Sequence, residues 1–145
     1  MSDLPAPISG LVISYSYLWK REAESGEVAG RKYRPASVLI SVRQESGDLI
    51  VYVAPITHTR AQRPEDGIQI PAIVKRRLGL DDAPSWIMTN EFNAFRWPGP
   101  DIAHVGDGDL NFAYGVLPKA LTDEIIRQFR RNLARNNVRV VKRTE

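Results

Sequence analysis

Short apolar runs separated by turn-forming clusters set the pattern of this chain. Gly10 precedes LVISYSYLW, where Val12, Ser14 and Ser16 alternate with Ile13, Tyr15 and Tyr17. That period of two predicts a half-buried strand. KREAESGEVAGRKY follows, charged and holding two glycines, and reads as a long surface loop with room for one helical turn. Arg34-Pro35 opens ASVLISV, rich in β-branched residues, and proline is tolerated at a strand start because its missing N–H need not join the ladder. Glu45-Ser46-Gly47-Asp48 then turns the chain into LIVYVAPITHT. Segments 36–43 and 49–57 are therefore expected to pair antiparallel. The second of these runs apolar from Leu49 to Ala54 and ends in Thr57, His58 and Thr59.

The remaining elements follow by the same reading. GIQIP (67–71) predicts a strand. Pro71, the one-turn spacing of Val74 and Leu78, and Gly79 predict a short helix over 72–78. Ser85 to Asn90 returns to strand, RWPGPD is turn-rich, and a turn near Gly106-Asp107-Gly108-Asp109 leads into NFAYGVL. Pro118 opens a final helix with Asp123 and Glu124 in its early turns, where the helix dipole favours negative charge. Its stripe is Leu121, Ile125, Phe129 and Leu133, with Arg127, Arg130, Arg131 and Arg135 off it. The expected class is mainly β (α+β): five to seven short strands in a small barrel or sandwich, one inserted short helix, and a C-terminal helix on the sheet. Residues 1–8 are expected to be a flexible N-terminus, 9–136 one domain, and 137–145 a basic C-terminal tail.

Composition narrows the classes. The 145 residues are 43% apolar and 26% charged, which suits one folded domain. No apolar run approaches the roughly 20 residues that span a bilayer, and MSDLPAPISG lacks a basic region and a long apolar core, so neither membrane nor secretion is expected. The absence of cysteine removes disulfides and fits a reducing, cytoplasmic location. Net charge is only +3, yet Arg127 to Arg143 holds seven basic residues and no acid. A pI near 9.4 with clustered arginine is compatible with a phosphate-bearing partner and equally with a solvated basic face.

Candidate chemistry is limited. His58 and His104 are the only histidines, and neither has a paired metal-ligand spacing, so no metal or other cofactor is expected. GxSxG, GxxxxGK[ST] and GxGxxG are all missing. What remains is the hairpin. With its turn centred between 46 and 47, residue 36 falls opposite 57, so Arg34 and Thr57 lie near one end. A fixed guanidinium beside a hydroxyl can hold a phosphodiester and stabilise added charge on its oxygens; a solvent-exposed strand end with a satisfied threonine has the same pattern.

The order of these pieces resembles the MazF/PemK family of bacterial toxins, which share a small SH3-like β-barrel with the gyrase-directed toxin CcdB. The resemblance spans about residues 9 to 134. It runs through GLVISYSY, a long loop, RPASVLISV, LIVYVAPITHT, GIQIP, SWIMTNEFNAFRW and FAYGVLPKALTDEIIRQF. It implies the toxin of a type II toxin–antitoxin system: a metal-independent endoribonuclease that cleaves single-stranded RNA at short motifs. The ribose 2′-OH would attack the adjacent phosphate. The catalytic positions map to Arg34, handling proton transfer or charge at the phosphate, and Thr57, holding a non-bridging oxygen.

Arg31, Lys32, Tyr33, Thr59, Asn90 and Glu91 fall on the RNA-binding side. Expected partners are mRNA, a cognate antitoxin segment lying across the groove, and a second copy in a homodimer. His58 has no counterpart in the family pattern; its imidazole could act as acid or base, or only line the rim against RNA. Trp19, Tyr33 and Phe95 are candidates for base stacking, while Trp86 and Trp97 are assigned to the core or a dimer interface. The chain departs from the family in its longer first loop, in a helix-like insertion over 71–84, and in Asn90-Glu91 where an Asp-Gln pair is usual. Two other functions stay open: a non-catalytic CcdB-like barrel binding a protein such as gyrase, and a degenerate RNA-binding module.

Overall fold

The computed structural model describes residues 6–26, 33–99, 102–103 and 113–143. In chain order the elements are β1 (Leu11–Tyr15), α1 (Lys20–Glu24), β2 (Arg34–Arg43), β3 (Leu49–Thr57), a 3₁₀ turn (Pro64–Asp66), β4 (Gly67–Gln69) and α2 (Ala72–Leu78). Then come β5 (Trp86–Met88), β6 (Glu91–Trp97), β7 (Ile102–Ala103), β8 (Ala113–Val116), α3 (Lys119–Ala134) and β9 (Arg139–Lys142). The class is the expected one, mainly antiparallel β with an inserted short helix and a C-terminal helix. Strands number nine among the described residues because several pieces are only two to four residues long. SWIMTNEFNAFRW, expected as one strand, divides into β5 and β6. The ladder is open, with no pairing among described strands that closes it into a ring.

β3 is the hub. β2 pairs with one edge, while β6 takes Leu49–Val53 and β5 takes Ile56 and Thr57 on the other. Both faces of β3 are covered, which explains its nearly unbroken apolar run. Ala54 and Ile56 face a core with Leu39, Val74, Leu78, Phe92, Ile125 and Phe129, under α2 and α3. Val51 and Val53 face the opposite core, with Ile13, Tyr15, Tyr17, Ala36, Val38 and Phe95. Burying each valine, leucine, isoleucine or phenylalanine among them fully is worth about 1.5–3 kcal/mol.

The hairpin register differs from the simple turn count by two residues, and both have a visible cause. The turn bonds Gln44 N–H to Asp48 O at 2.7 Å, with Gly47 at φ 96°, a conformation glycine adopts without strain; it sets Arg43 opposite Leu49. A bulge then leaves Leu39 unpaired between Val38 and Ile40, so that Val38 and Leu39 are both buried, one in each core. Ala36 therefore pairs with Pro55. Continuing that register sets Arg34 opposite Thr57 itself.

The helices follow their signals, with one correction. Gly79 caps α2 in the left-handed conformation at φ 73°, and α3 starts after Pro118. In α3 Leu133 is 48% exposed, and Asn132 is buried in its place at 1%. Steps of four drift around a 3.6-residue helix, so a step of three restores the face. Asn132 is tolerated there because its Nδ2 donates to Glu65 O and Thr89 O, each at 2.9 Å. Phe95, expected near a loop for base stacking, is core: it is 2% exposed and stacks on Tyr15 at 4.8 Å. Trp97 packs partly buried against the same core. The stretch read as a basic tail supplies β9, parallel to β6. No helix among the described residues is long and apolar enough to cross a membrane.

Candidate active site

The lower face of the hairpin ends in polar groups. On β2, Ala36 and Val38 face the second core, and Arg34 continues that face; on β3, Val51 and Val53 do the same before Thr57. Tyr15 pairs with Arg34 on the other side, and Trp86 with Thr57. The second core thus runs out at a guanidinium and a hydroxyl held by four strands.

Arg34, Thr57, His58, Thr59, Asn90 and Glu91 all line one cavity of about 510 Å³. A smaller neighbour of about 210 Å³ is lined by Tyr33, Arg34, Thr57 and His58 together with Lys75 and Asp81. Arg34, Thr57 and His58 are common to both. Arg31, Lys32 and His104 lie outside the described residues.

Arg34 is half-buried, with its guanidinium 5.2 Å from the Trp19 ring centroid. Trp19, expected as a base-stacking residue, is occupied as a platform for Arg34 and for Arg21 at 5.1 Å. Arg34 Nε is buried without a hydrogen-bond partner, an arrangement that costs free energy unless an acceptor arrives. Burial draws the Arg34 pKa below the usual guanidinium value; Glu22 opposes this and Arg21 adds to it. An arginine nonetheless stays charged at physiological pH. Thr57 Oγ1 accepts the Thr59 N–H at 3.1 Å, leaving its own proton to donate elsewhere.

Four guanidiniums line the larger cavity, those of Arg21, Arg34, Arg60 and Arg139. The two carboxylates there are already engaged. Asp66 accepts from Arg63 Nε and Asn137 Nδ2, each at 3.0 Å. Glu91 is 3% exposed and accepts from Tyr17 Oη at 3.1 Å and Lys20 N–H at 2.9 Å. Burial raises the Glu91 pKa, against the pull of those two hydrogen bonds and of Arg139. The Tyr17 phenol is pushed well up by burial and by Glu91. Arginines outnumber carboxylates in the lining, so the cavity carries net positive charge. Among the described residues no three His, Cys, Asp or Glu side chains are grouped to share a metal ion.

Sequence reasoning did not place Lys75 and Asp81 here. Asp81 Oδ2 lies 2.8 Å from His58 Nε2, and its Oδ1 accepts from Lys75 Nζ at 2.8 Å. The readable signal was a lysine beside Val74 on the inward face of α2, one turn from the buried cap region. Arg139, Arg21 and Arg60 were also missed as cavity residues, since only the fold brings α1, β9 and the loop after β3 together. The chain matches no family model, no curated protein and no solved structure, so the family resemblance rests on its motifs and their order.

Proposed function

We propose that the protein is a metal-independent endoribonuclease cleaving single-stranded RNA at short motifs, the toxin of a type II toxin–antitoxin pair of the MazF/PemK kind. The observation that supports this reading best is that Arg34, with its unsatisfied buried Nε, and Thr57 line the same cationic cavity at one hairpin end. When a ribose 2′-oxygen attacks the neighbouring phosphorus, negative charge grows on the non-bridging oxygens. Arg34 and the Thr57 hydroxyl are donors fixed before that charge develops, and such preorganised donors are each worth about 10²–10³ in rate. Trp19 lies 5.2 Å from the guanidinium, and Arg34 lines the cavity that would take the phosphate. In the same reading, an acidic segment of a cognate antitoxin covers the cationic cavity, and the chain acts as a cytoplasmic homodimer.

The test is end chemistry. Purified protein incubated with a mixed RNA pool in EDTA should release fragments with 5′-hydroxyl and 2′,3′-cyclic phosphate ends at a recurring short motif. The same motif carrying a single 2′-deoxy substitution at the cleaved nucleotide should stay intact. An RNA pool left whole, or a deoxy substrate cut equally well, would sink the reading.

A further inference from the structure

The insertion between β4 and β5 has a polar interior that its length alone does not require. Lys75 on α2 is buried at 4% exposure, and its ammonium donates to Asp81 Oδ1 at 2.8 Å, to Ser85 Oγ at 2.6 Å and to Ala83 O. Its three protons are thereby used. Asp81 Oδ1 also accepts the Ala83 N–H at 3.2 Å, which leaves Oδ2 for His58 Nε2 at 2.8 Å. His58 and Asp81 have side chains 60% and 57% exposed. An ion pair that exposed adds little stability. A buried lysine that fixes the aspartate does something else: it fixes the ring.

We propose that His58 is the general base of RNA cleavage and that the insertion is its positioning device, Asp81 orienting the imidazole and Lys75 holding Asp81. This rests on the ribonuclease reading above. The Lys75 hydrogen bond, followed by that of His58, keeps the Asp81 pKa below the usual carboxylate range. Asp81 is then an ionised acceptor, so His58 Nε2 carries a proton, and in the neutral ring the lone pair is on Nδ1. In the step, Nδ1 takes the 2′-hydroxyl proton as the 2′-O–P bond forms and the P–O5′ bond breaks. The departing 5′-oxygen takes a proton from water, and the imidazolium returns its own to solvent.

Other ionisable groups share the cavities with the ring: Tyr33 just before β2, Arg34 from β2, Arg21 from α1, and Arg60 from its own loop. Asp66, Glu91 and Arg139 face it from the 3₁₀ turn, β6 and β9. A histidine-specific readout is therefore needed, and His58→Gln leaves those groups in place. Wild-type kcat/KM should rise with pH on the acid side of its profile, as a rate that needs an unprotonated base does. In His58→Gln the rise should vanish and the rate should fall about 10²-fold or more. Asp81→Asn should lower kcat by on the order of tenfold with KM little changed. In ¹⁵N NMR of the free protein, His58 should be the Nε2–H tautomer, and Asp81→Asn should abolish that preference. If wild type cleaves RNA while His58→Gln keeps its rate and pH profile, the proposal is overturned and the ribonuclease reading stands. If wild type cleaves no RNA, both fall. An Nδ1–H tautomer in wild type overturns the positioning role directly.

Discussion

Arg143 and Arg34 each lie against an aromatic ring, and they are built differently. Arg143, just after β9, is 8% exposed, 5.4 Å from the Tyr15 ring centroid. Its Nη1 donates to Ser16 O at 2.6 Å, Tyr15 Oη at 3.1 Å and Asn93 Oδ1 at 3.3 Å. Arg34 lies over Trp19 at a similar distance, yet its buried Nε has no acceptor and the group opens on a cavity. A buried guanidinium bonded to three residues ties their segments together, because removing it leaves buried acceptors unpaired. Arg34 instead keeps one buried donor without a partner. Burial and ring contact alone therefore do not separate the two arginines; their hydrogen bonds do.

The comparison breaks most sharply under substitution. Arg34→Ala should lower kcat/KM for RNA by about 10³-fold, around 4 kcal/mol in transition-state stabilisation. Urea unfolding should shift by no more than about 0.5 kcal/mol, since no hydrogen bond to Nε is lost. Arg34→Lys should recover little, because an ammonium cannot reproduce the planar fork. If Arg34→Ala unfolds the protein instead, Arg34 is structural and the contrast fails.

Arg143→Met should do the reverse. It removes donors from Ser16 O, Tyr15 Oη and Asn93 Oδ1 while keeping apolar bulk, and should cost about 3 kcal/mol of stability. The urea midpoint should fall with an unchanged slope. Residual folded protein should cleave RNA at the wild-type rate. A stability change under about 0.5 kcal/mol would mean that the bonds around Arg143 re-form elsewhere.

The two arginines were not equally legible in the sequence. Arg34 stands at the start of a strand whose hairpin partner ends in Thr57, and the turn signal alone brought the two to one end. Its alignment with Thr57 needed the bulge at Leu39, for which no local residue signal exists; it forms because both cores can take an apolar side chain there. Arg143 sits in a stretch, NNVRVVKR, whose charges read as a solvated tail. It becomes β9 because β6 has a free edge to pair with, which is tertiary information. The same holds for Asn132, which looks wrong for a buried helix face until Glu65 and Thr89 offer their carbonyls. Periodicity and turn chemistry located α2 and α3 well. The Lys75–Asp81–His58 chain was hidden because its members meet only when the insertion folds back on the end of β3.

Glu91 gives the finest test, since it stands two residues before Asn93 on the same face of β6 and belongs to the cavity of Arg34. It is a buried acid whose folded-state pKa is raised, chiefly by burial. The folded protein therefore keeps this proton to a higher pH than the unfolded chain does. Its stabilising contribution is full below the ordinary carboxylate range, about pH 4, and is lost as pH rises through the raised value. Glutamine in its place cannot ionise, yet still offers an oxygen to Tyr17 Oη and the Lys20 N–H. Glu91→Gln should accordingly gain on wild type in thermal stability as pH rises from about 4 to 7, with the variant the more stable at neutral pH. The gain should be smaller than either arginine effect, because one proton on one group is at stake. A difference that stays flat across that range would mean that the cavity solvates Glu91 as water does, and the unpaired Nε of Arg34 would then lose its low-dielectric setting.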